Sequence, residues 1–127
     1  MILGTGVDIV ELARMRSAWE RWGERFAERL LTASESAEFG RRKDKAAFLA
    51  SRFAAKEAFL KALGTGYADG ISWQEMAVCR PDGKRPQLTI TGQARRLMEG
   101  MGATAAHLSI SHERNYAVAQ VILEGGE

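Results

Sequence analysis

Apolar and polar positions alternate with a period of two near both ends of the chain and with a period near 3.6 through its middle. Ile2 to Val10 is β-branched and punctuated by Gly4 and Gly6. This predicts a strand ending near Asp8, with a bend or a close backbone approach at the glycines. From Glu11 to Leu30 the residues Leu12, Met15, Trp19, Trp22, Phe26 and Leu30 fall on one helical stripe, which Gly23 kinks or splits. Thr32-Ala33-Ser34-Glu35 has capping-box spacing and opens a short helix through Phe39, ended by Gly40. Ala46 to Leu63 forms the next helix, closed by Gly64-Thr65-Gly66, where glycine takes a left-handed cap. Met76 and Val78, then Leu88 and Ile90, alternate with less apolar neighbours on either side of the turn signal Pro81-Asp82-Gly83-Lys84, so a hairpin follows. Thr91 caps a helix carrying Ala94, Leu97, Met98 and Met101, stopped by Gly100 or Gly102. A last hairpin pairs Ala105 to His112 with Tyr116 to Leu123. On its first strand Leu108 and Ile110 face one way, and His107, Ser109 and Ser111 the other. A strand, then helices, then hairpins argue an α+β fold.

The helix from Ala46 to Leu63 carries charges where a core helix has none. Phe48, Leu49, Phe53, Phe59, Leu60 and Leu63 fall within about 140° of its circumference. Arg52 and Lys56 project into the middle of that arc, and Glu57 and Lys61 share its edge, four residues apart. Ala50, Ala54 and Ala58 beside them leave room for another chain or a ligand. Buried charges need partners, here other side chains or phosphates and a metal. Arg52 and Lys56 are expected to meet a neighbouring subunit, the ligand or an internal carboxylate.

Composition narrows the class. At 127 residues, 46% hydrophobic and 27% charged, the chain suits one soluble domain spanning residues 1–127. A net charge of +2 suits an acidic partner and falls short of a nucleic-acid-binding signature. The lone Cys79 excludes an internal disulfide and fits a reducing cytoplasm. Neither a signal peptide nor a membrane span is indicated, so a cytoplasmic location with no membrane partner is expected.

Several features admit two readings. Asp8, among Val7, Ile9 and Val10, is a cap or backbone-bonded aspartate, or a functional carboxylate. Arg14, Arg21 and Arg25 align beside the first apolar helical stripe, either as a solvated basic face or as a docking surface for an acidic helix. The basic run Arg41-Arg42-Lys43-Asp44-Lys45 is a solvated loop or a phosphate site. Brought together, Asp8 and Glu57 would hold one Mg²⁺, with waters and substrate phosphates completing its shell, and Lys61 would reach the same phosphates. Nucleotide-loop, zinc and serine-triad motifs are absent. The residues by themselves point to a Mg²⁺-dependent site for a small phosphate-containing ligand.

Those same residues carry a family resemblance. Gly6-Val7-Asp8-Ile9-Val10-Glu11 resembles the G-x-D-I-x-E motif of bacterial holo-acyl-carrier-protein synthases. The run Arg52-Phe53-Ala54-Ala55-Lys56-Glu57-Ala58-Phe59-Leu60-Lys61-Ala62-Leu63-Gly64-Thr65-Gly66 resembles their second signature. Leu30-Leu31-Thr32 with Glu35, and His107 to His112, are similar to further segments in the expected order. The resemblance implies a 4′-phosphopantetheinyl transferase-like fold, an antiparallel sheet packed with a long central helix. It implies transfer of 4′-phosphopantetheine from coenzyme A to a serine of apo acyl carrier protein, within fatty acid biosynthesis. Asp8 and Glu57 would bind Mg²⁺, with Glu57 as general base directly or through a metal-bound water. Lys61 would steady the pyrophosphate, and Gly64, Thr65 and Gly66 would line the nucleotide side. Arg52 would also contact the cofactor, Lys43 and Lys45 would lie near the 3′-phosphate, and His112 near the nucleotide. Arg14, Arg21 and Arg25 would dock the acidic carrier, and the chain would form a homotrimer with shared active sites. Asp44 departs from a run that is more uniformly basic in the family. Val10 stands where larger relatives carry a third acidic ligand. The rival readings are a non-catalytic carrier-binding adaptor and, more distantly, a small nucleic-acid-binding domain.

Overall fold

The computed structural model describes residues 1–65 and 70–126. Strand β1 (Ile2–Glu11) is followed by helices α1 (Leu12–Trp22), α2 (Glu24–Leu30), α3 (Ala33–Arg41) and α4 (Lys45–Leu63). A 3₁₀ turn (Trp73–Glu75) leads into β2 (Met76–Cys79) and β3 (Gln87–Ile90), and then come α5 (Gly92–Gly100), β4 (Ala103–His112) and β5 (Tyr116–Gly125). Strands β2 and β3 pair as the expected hairpin. The larger sheet runs β1-β5-β4, antiparallel throughout, so the last strand takes the centre. The architecture is α+β.

Local chemistry explains most boundaries. Gly23 adopts φ +55° and divides the first helical stripe into α1 and α2. Thr32 and Glu35 form the capping box that opens α3. Helix α3 runs past Gly40 to Arg41, because the glycine there is helical and unobstructed. Asp44 accepts from the Ala47 backbone N–H at 3.0 Å and opens α4, and Gly64 closes it at φ +85°. The acid that interrupts the basic run is therefore the helix cap. Thr91 makes no side-chain cap on α5. Glu75 does so instead, accepting from the Ala94 N–H at 3.0 Å.

Helix α4 lies across the inner face of the sheet, and fourteen of its nineteen residues are buried. Its polarity is not that of a helix with a wet back. Leu108, Ala117, Ala119, Val121 and Leu123 of the sheet are buried against it, with Val10. Two small residues of α4, Ala58 and Ala62, make room for neither another chain nor a ligand. They admit β1 itself: a Cβ on Gly6 would sit 2.0 Å from the Ala58 carbonyl oxygen, and one on Gly4 2.2 Å from that of Ala62. Close approach, rather than a bend, is what those two glycines serve.

The outer face of the sheet carries Val7 and Ile9 of β1 and Tyr116 of β5, exposed by 56%, 65% and 44%. Ile122 and Val118 of β5 share that face by register.

Candidate active site

Glycine-tight packing of β1 on α4 brings three charged side chains together. Strand β1 continues beyond Asp8 to Glu11, so Asp8 is a mid-strand residue on the inner face and caps no helix. Its Oδ1 accepts from Lys61 Nζ at 2.9 Å, and the same ammonium donates to the Val7 carbonyl at 3.2 Å. Glu57 stands one helical turn before Lys61. Burial pushes the Glu57 carboxyl above its ordinary value, and the charge of Asp8 adds to that rise while Lys61 opposes it.

The influence of Asp8 on Glu57 means that the two carboxylates lie near one another, on facing elements β1 and α4. Among the described residues no group of three His, Cys, Asp or Glu forms a cluster. Two carboxylates with the remaining positions left to waters and phosphates fit Mg²⁺, which is held by one or two carboxylates in phosphate sites.

A second cluster lies at the other edge of the sheet. Arg42, Arg52, Arg80 and His112 line a cavity of about 160 Å³ with Asp44, Ala47, Phe48, Ser51 and Ile110. Arg52 is 3% exposed; it bonds Ser51 Oγ at 3.0 Å and Glu38 at 3.3 Å, and its guanidinium lies 4.1 Å from the centre of the Phe48 ring. Its Nε is buried without a hydrogen-bond partner among the described residues. Burial drives the Glu38 carboxyl up, but the Arg42 hydrogen bond and the charges of Arg52, Arg42 and Arg41 outweigh it and leave the group below its ordinary value. Three guanidiniums around one small cavity, two of them already paired with Glu38, are the chemistry that could receive a phosphate-sized anion.

The two clusters are separated by the helix between them. Asp8 pairs across β5 with Ala119, and Ala119 with Ile110, so the carboxylate edge and the basic edge lie two strand spacings, about 10 Å, apart. On α4 itself Arg52 and Glu57 point about 140° apart.

A third feature is a groove of about 880 Å³ lined by Trp22, Arg25, Phe26, Glu28, Arg29, Leu30, Phe53, Trp73 and Gln74. Arg14, Arg21 and Arg25 are all exposed, and the Arg21 guanidinium lies 5.1 Å from the centre of the Trp22 ring. The arginine stripe thus continues into an aromatic groove.

Of the residues singled out in the sequence, Asp8, Glu57 and Lys61 come together, as do Arg52 and His112. Lys43 is exposed and lines neither cavity. Lys45 donates to the Phe39 carbonyl and lies over the Phe39 ring at 4.6 Å, which ties α3 to α4. Gly64 caps α4, Thr65 follows it, and Gly66 lies outside the described residues. Arg52 and Lys56 both meet internal carboxylates, Glu38 and Glu35. Sequence reasoning placed Arg42 in a candidate phosphate-binding run but missed Arg80, which lines the same cavity. Arg80 had no local signal at all.

The model of the 4′-phosphopantetheinyl transferase superfamily matches residues 4–121. A holo-[acyl-carrier-protein] synthase of Alkalilimnicola ehrlichii is 50% identical over 128 aligned positions, covering 100% of both chains. Among solved structures, the holo-[acyl-carrier-protein] synthase of Neisseria meningitidis superposes with a TM-score of 0.89 at 37% identity, over 98% of this chain and 99% of that one. The synthase of Bacillus anthracis in complex with CoA (3′,5′-ADP) superposes at 0.82 with 38% identity, over 99% of each chain. This chain belongs to the 4′-phosphopantetheinyl transferase superfamily.

Proposed function

We propose that the chain, as one domain spanning residues 1–127, transfers 4′-phosphopantetheine from coenzyme A to a serine of apo acyl carrier protein. The observation that carries this reading is the meeting of Asp8, Glu57 and Lys61 at one edge of α4, with an arginine-lined anion site at the other. Mg²⁺ would be held by Asp8 and Glu57, where it would neutralise charge on the pyrophosphate. Lys61, now bonded to Asp8, is half exposed and free to turn its ammonium to that pyrophosphate. The serine Oγ attacks the β-phosphorus and its proton passes to Glu57, directly or through a water held at the site. The bond from the β-phosphorus to the bridging oxygen breaks, and adenosine 3′,5′-bisphosphate leaves with the electron pair. Arg42, Arg52, Arg80 and His112 hold the nucleotide's 3′-phosphate, and the arginines of α1 and α2 receive the acidic carrier.

One ligand meets both edges most simply when they come from different subunits. The carboxylate edge of one chain then faces the basic edge of the next, a head-to-tail contact that closes as a ring. The exposed apolar outer face of the sheet supports this assembly as a homotrimer with shared sites. The reaction belongs in the cytoplasm, at the supply of holo carrier to fatty acid biosynthesis.

The test is to incubate the chain with apo acyl carrier protein, coenzyme A and Mg²⁺ and to weigh the carrier by mass spectrometry. A phosphopantetheine adduct is expected. Its absence on every carrier tried, with carrier binding intact, would leave only an adaptor role.

A further inference from the structure

Behind the aromatic groove lies a buried ion pair that the transfer chemistry does not use. The side chains of Lys56 and Glu35 have no solvent exposure. Lys56 Nζ donates to Glu35 Oε1 at 2.7 Å, to the Leu30 carbonyl at 2.6 Å and to the Trp73 carbonyl at 3.4 Å. Glu35 is itself fully engaged: Oε1 also accepts from the Thr32 N–H at 2.9 Å, and Oε2 from the Val78 N–H at 2.7 Å. One ammonium therefore joins α4 to the end of α2, the start of α3 and the 3₁₀ turn.

Leu30 and Trp73 both line the groove. The neighbouring Gln74 donates through Nε2 to the carbonyls of Glu28 at 2.9 Å and Arg29 at 2.7 Å. The last three carbonyls of α2 thus accept from two side chains outside it. Such carbonyls have no partners within their own helix, and a helix of seven residues is not stable alone. A cation at a helix C-terminus is also favoured by the helix dipole. Apolar side chains of similar size in place of both Lys56 and Glu35 would fill the site at lower desolvation cost. What they could not do is hold oxygens of three different elements in one fixed relation.

We propose that Lys56, assisted by Gln74, is a positioning residue for carrier docking. It fixes the end of α2, and with it Arg25, Phe26 and Arg29, against the Trp73 side of the groove. This rests on the carrier-docking reading above. Lys56 touches neither substrate nor the reacting atoms, although its neighbour Glu57 does.

Two variants test it, Lys56→Met and the exposed Gln74→Ala, which leaves the buried pair intact and the fold secure. The KM for apo carrier should rise about tenfold in the first and about threefold in the second, while kcat and the KM for coenzyme A stay within about twofold. Amide hydrogen exchange over Phe26 to Leu31 should quicken about tenfold in Lys56→Met, a readout independent of catalysis. Equal losses in kcat and both KM values, or unchanged exchange over α2 in both variants, would overturn the proposal. An active wild type whose variants exchange over α2 at the wild-type rate overturns this proposal alone. A wild type that loads no carrier overturns the docking reading along with it.

Discussion

Lys61 reaches from α4 to β1 and donates to Asp8 at 2.9 Å, so the lysine proposed to steady a pyrophosphate rests on one of the two carboxylates proposed to hold its cation. The Lys61 side chain is half exposed, and such pairs contribute only about 0–1 kcal/mol to stability. Asp8→Asn should therefore cost under about 1 kcal/mol in a denaturant melt, while transfer falls at least about 10²-fold. A variant that keeps near wild-type transfer across Mg²⁺ concentrations would remove Asp8 from the cation site.

Glu57 gives a pH-dependent stability effect whose sign is opposite to that of an ordinary paired carboxylate. Its folded-state affinity for protons is raised, by burial first and by Asp8 second. Between the ordinary carboxylate value and the raised one, the folded state holds the extra proton, so stability falls as pH rises through that window. Glu57→Gln should accordingly raise Tm at neutral pH, lose that advantage below about pH 4.5, and abolish transfer. Thermal melts of both proteins from pH 4 to 8, taken without metal, check it. A variant that melts lower at neutral pH contradicts the burial argument.

Gly6 and Gly40 should answer the same substitution in opposite directions. A Cβ at Gly6 meets the Ala58 carbonyl oxygen at 2.0 Å, backbone that cannot move aside without shifting α4. Gly6→Ala is expected to cost about 3 kcal/mol or more and to disturb the Asp8 site next to it. Gly40 lies within α3 with nothing within 4 Å of an added Cβ, so Gly40→Ala should stabilise by about 0.5–1 kcal/mol. Urea denaturation of the two variants gives both numbers.

The anion cavity and the arginine stripe should separate kinetically. Arg80→Ala is expected to raise the KM for coenzyme A about tenfold and to leave the KM for carrier unchanged. Arg14→Glu should do the reverse, with a carrier KM that climbs steeply and falls back as salt screens the repulsion. Steady-state kinetics at two ionic strengths distinguishes them. Parallel losses in both constants would point to a folding defect in either variant.

Asp8, Glu57 and Lys61 were legible in the sequence because a charge among apolar neighbours is costly unless something answers it. Arg52 and Lys56 were legible as misplaced charges, and internal carboxylates answer both. Glu35 was readable only as a capping residue, although it also holds Lys56 and the Val78 amide. The order β1-β5-β4 was not readable, since it depends on pairings between the two ends of the chain and not on any local pattern. The grouping of Arg80 with Arg52 and His112 follows from packing among β2, α4 and β4, so it was equally hidden. Periodicity likewise gave α4 an apolar arc of about 140°, whereas fourteen of its nineteen residues are buried.

The place of β5 between β1 and β4 also governs how the molecule comes into being. β1 is synthesised long before β5, its one sheet partner among the described residues. Until Tyr116 to Gly125 emerges, β1 has an unpaired backbone on both sides, and α4 lacks the Ala117, Ala119, Val121 and Leu123 surface against which it packs. Such non-local pairing is slow, and α4, made by the middle of the chain, must wait for its sheet surface until β5 follows. The sheet face of α4 is therefore closed only once β5 has been made, and until then the fold's own contacts leave that face open.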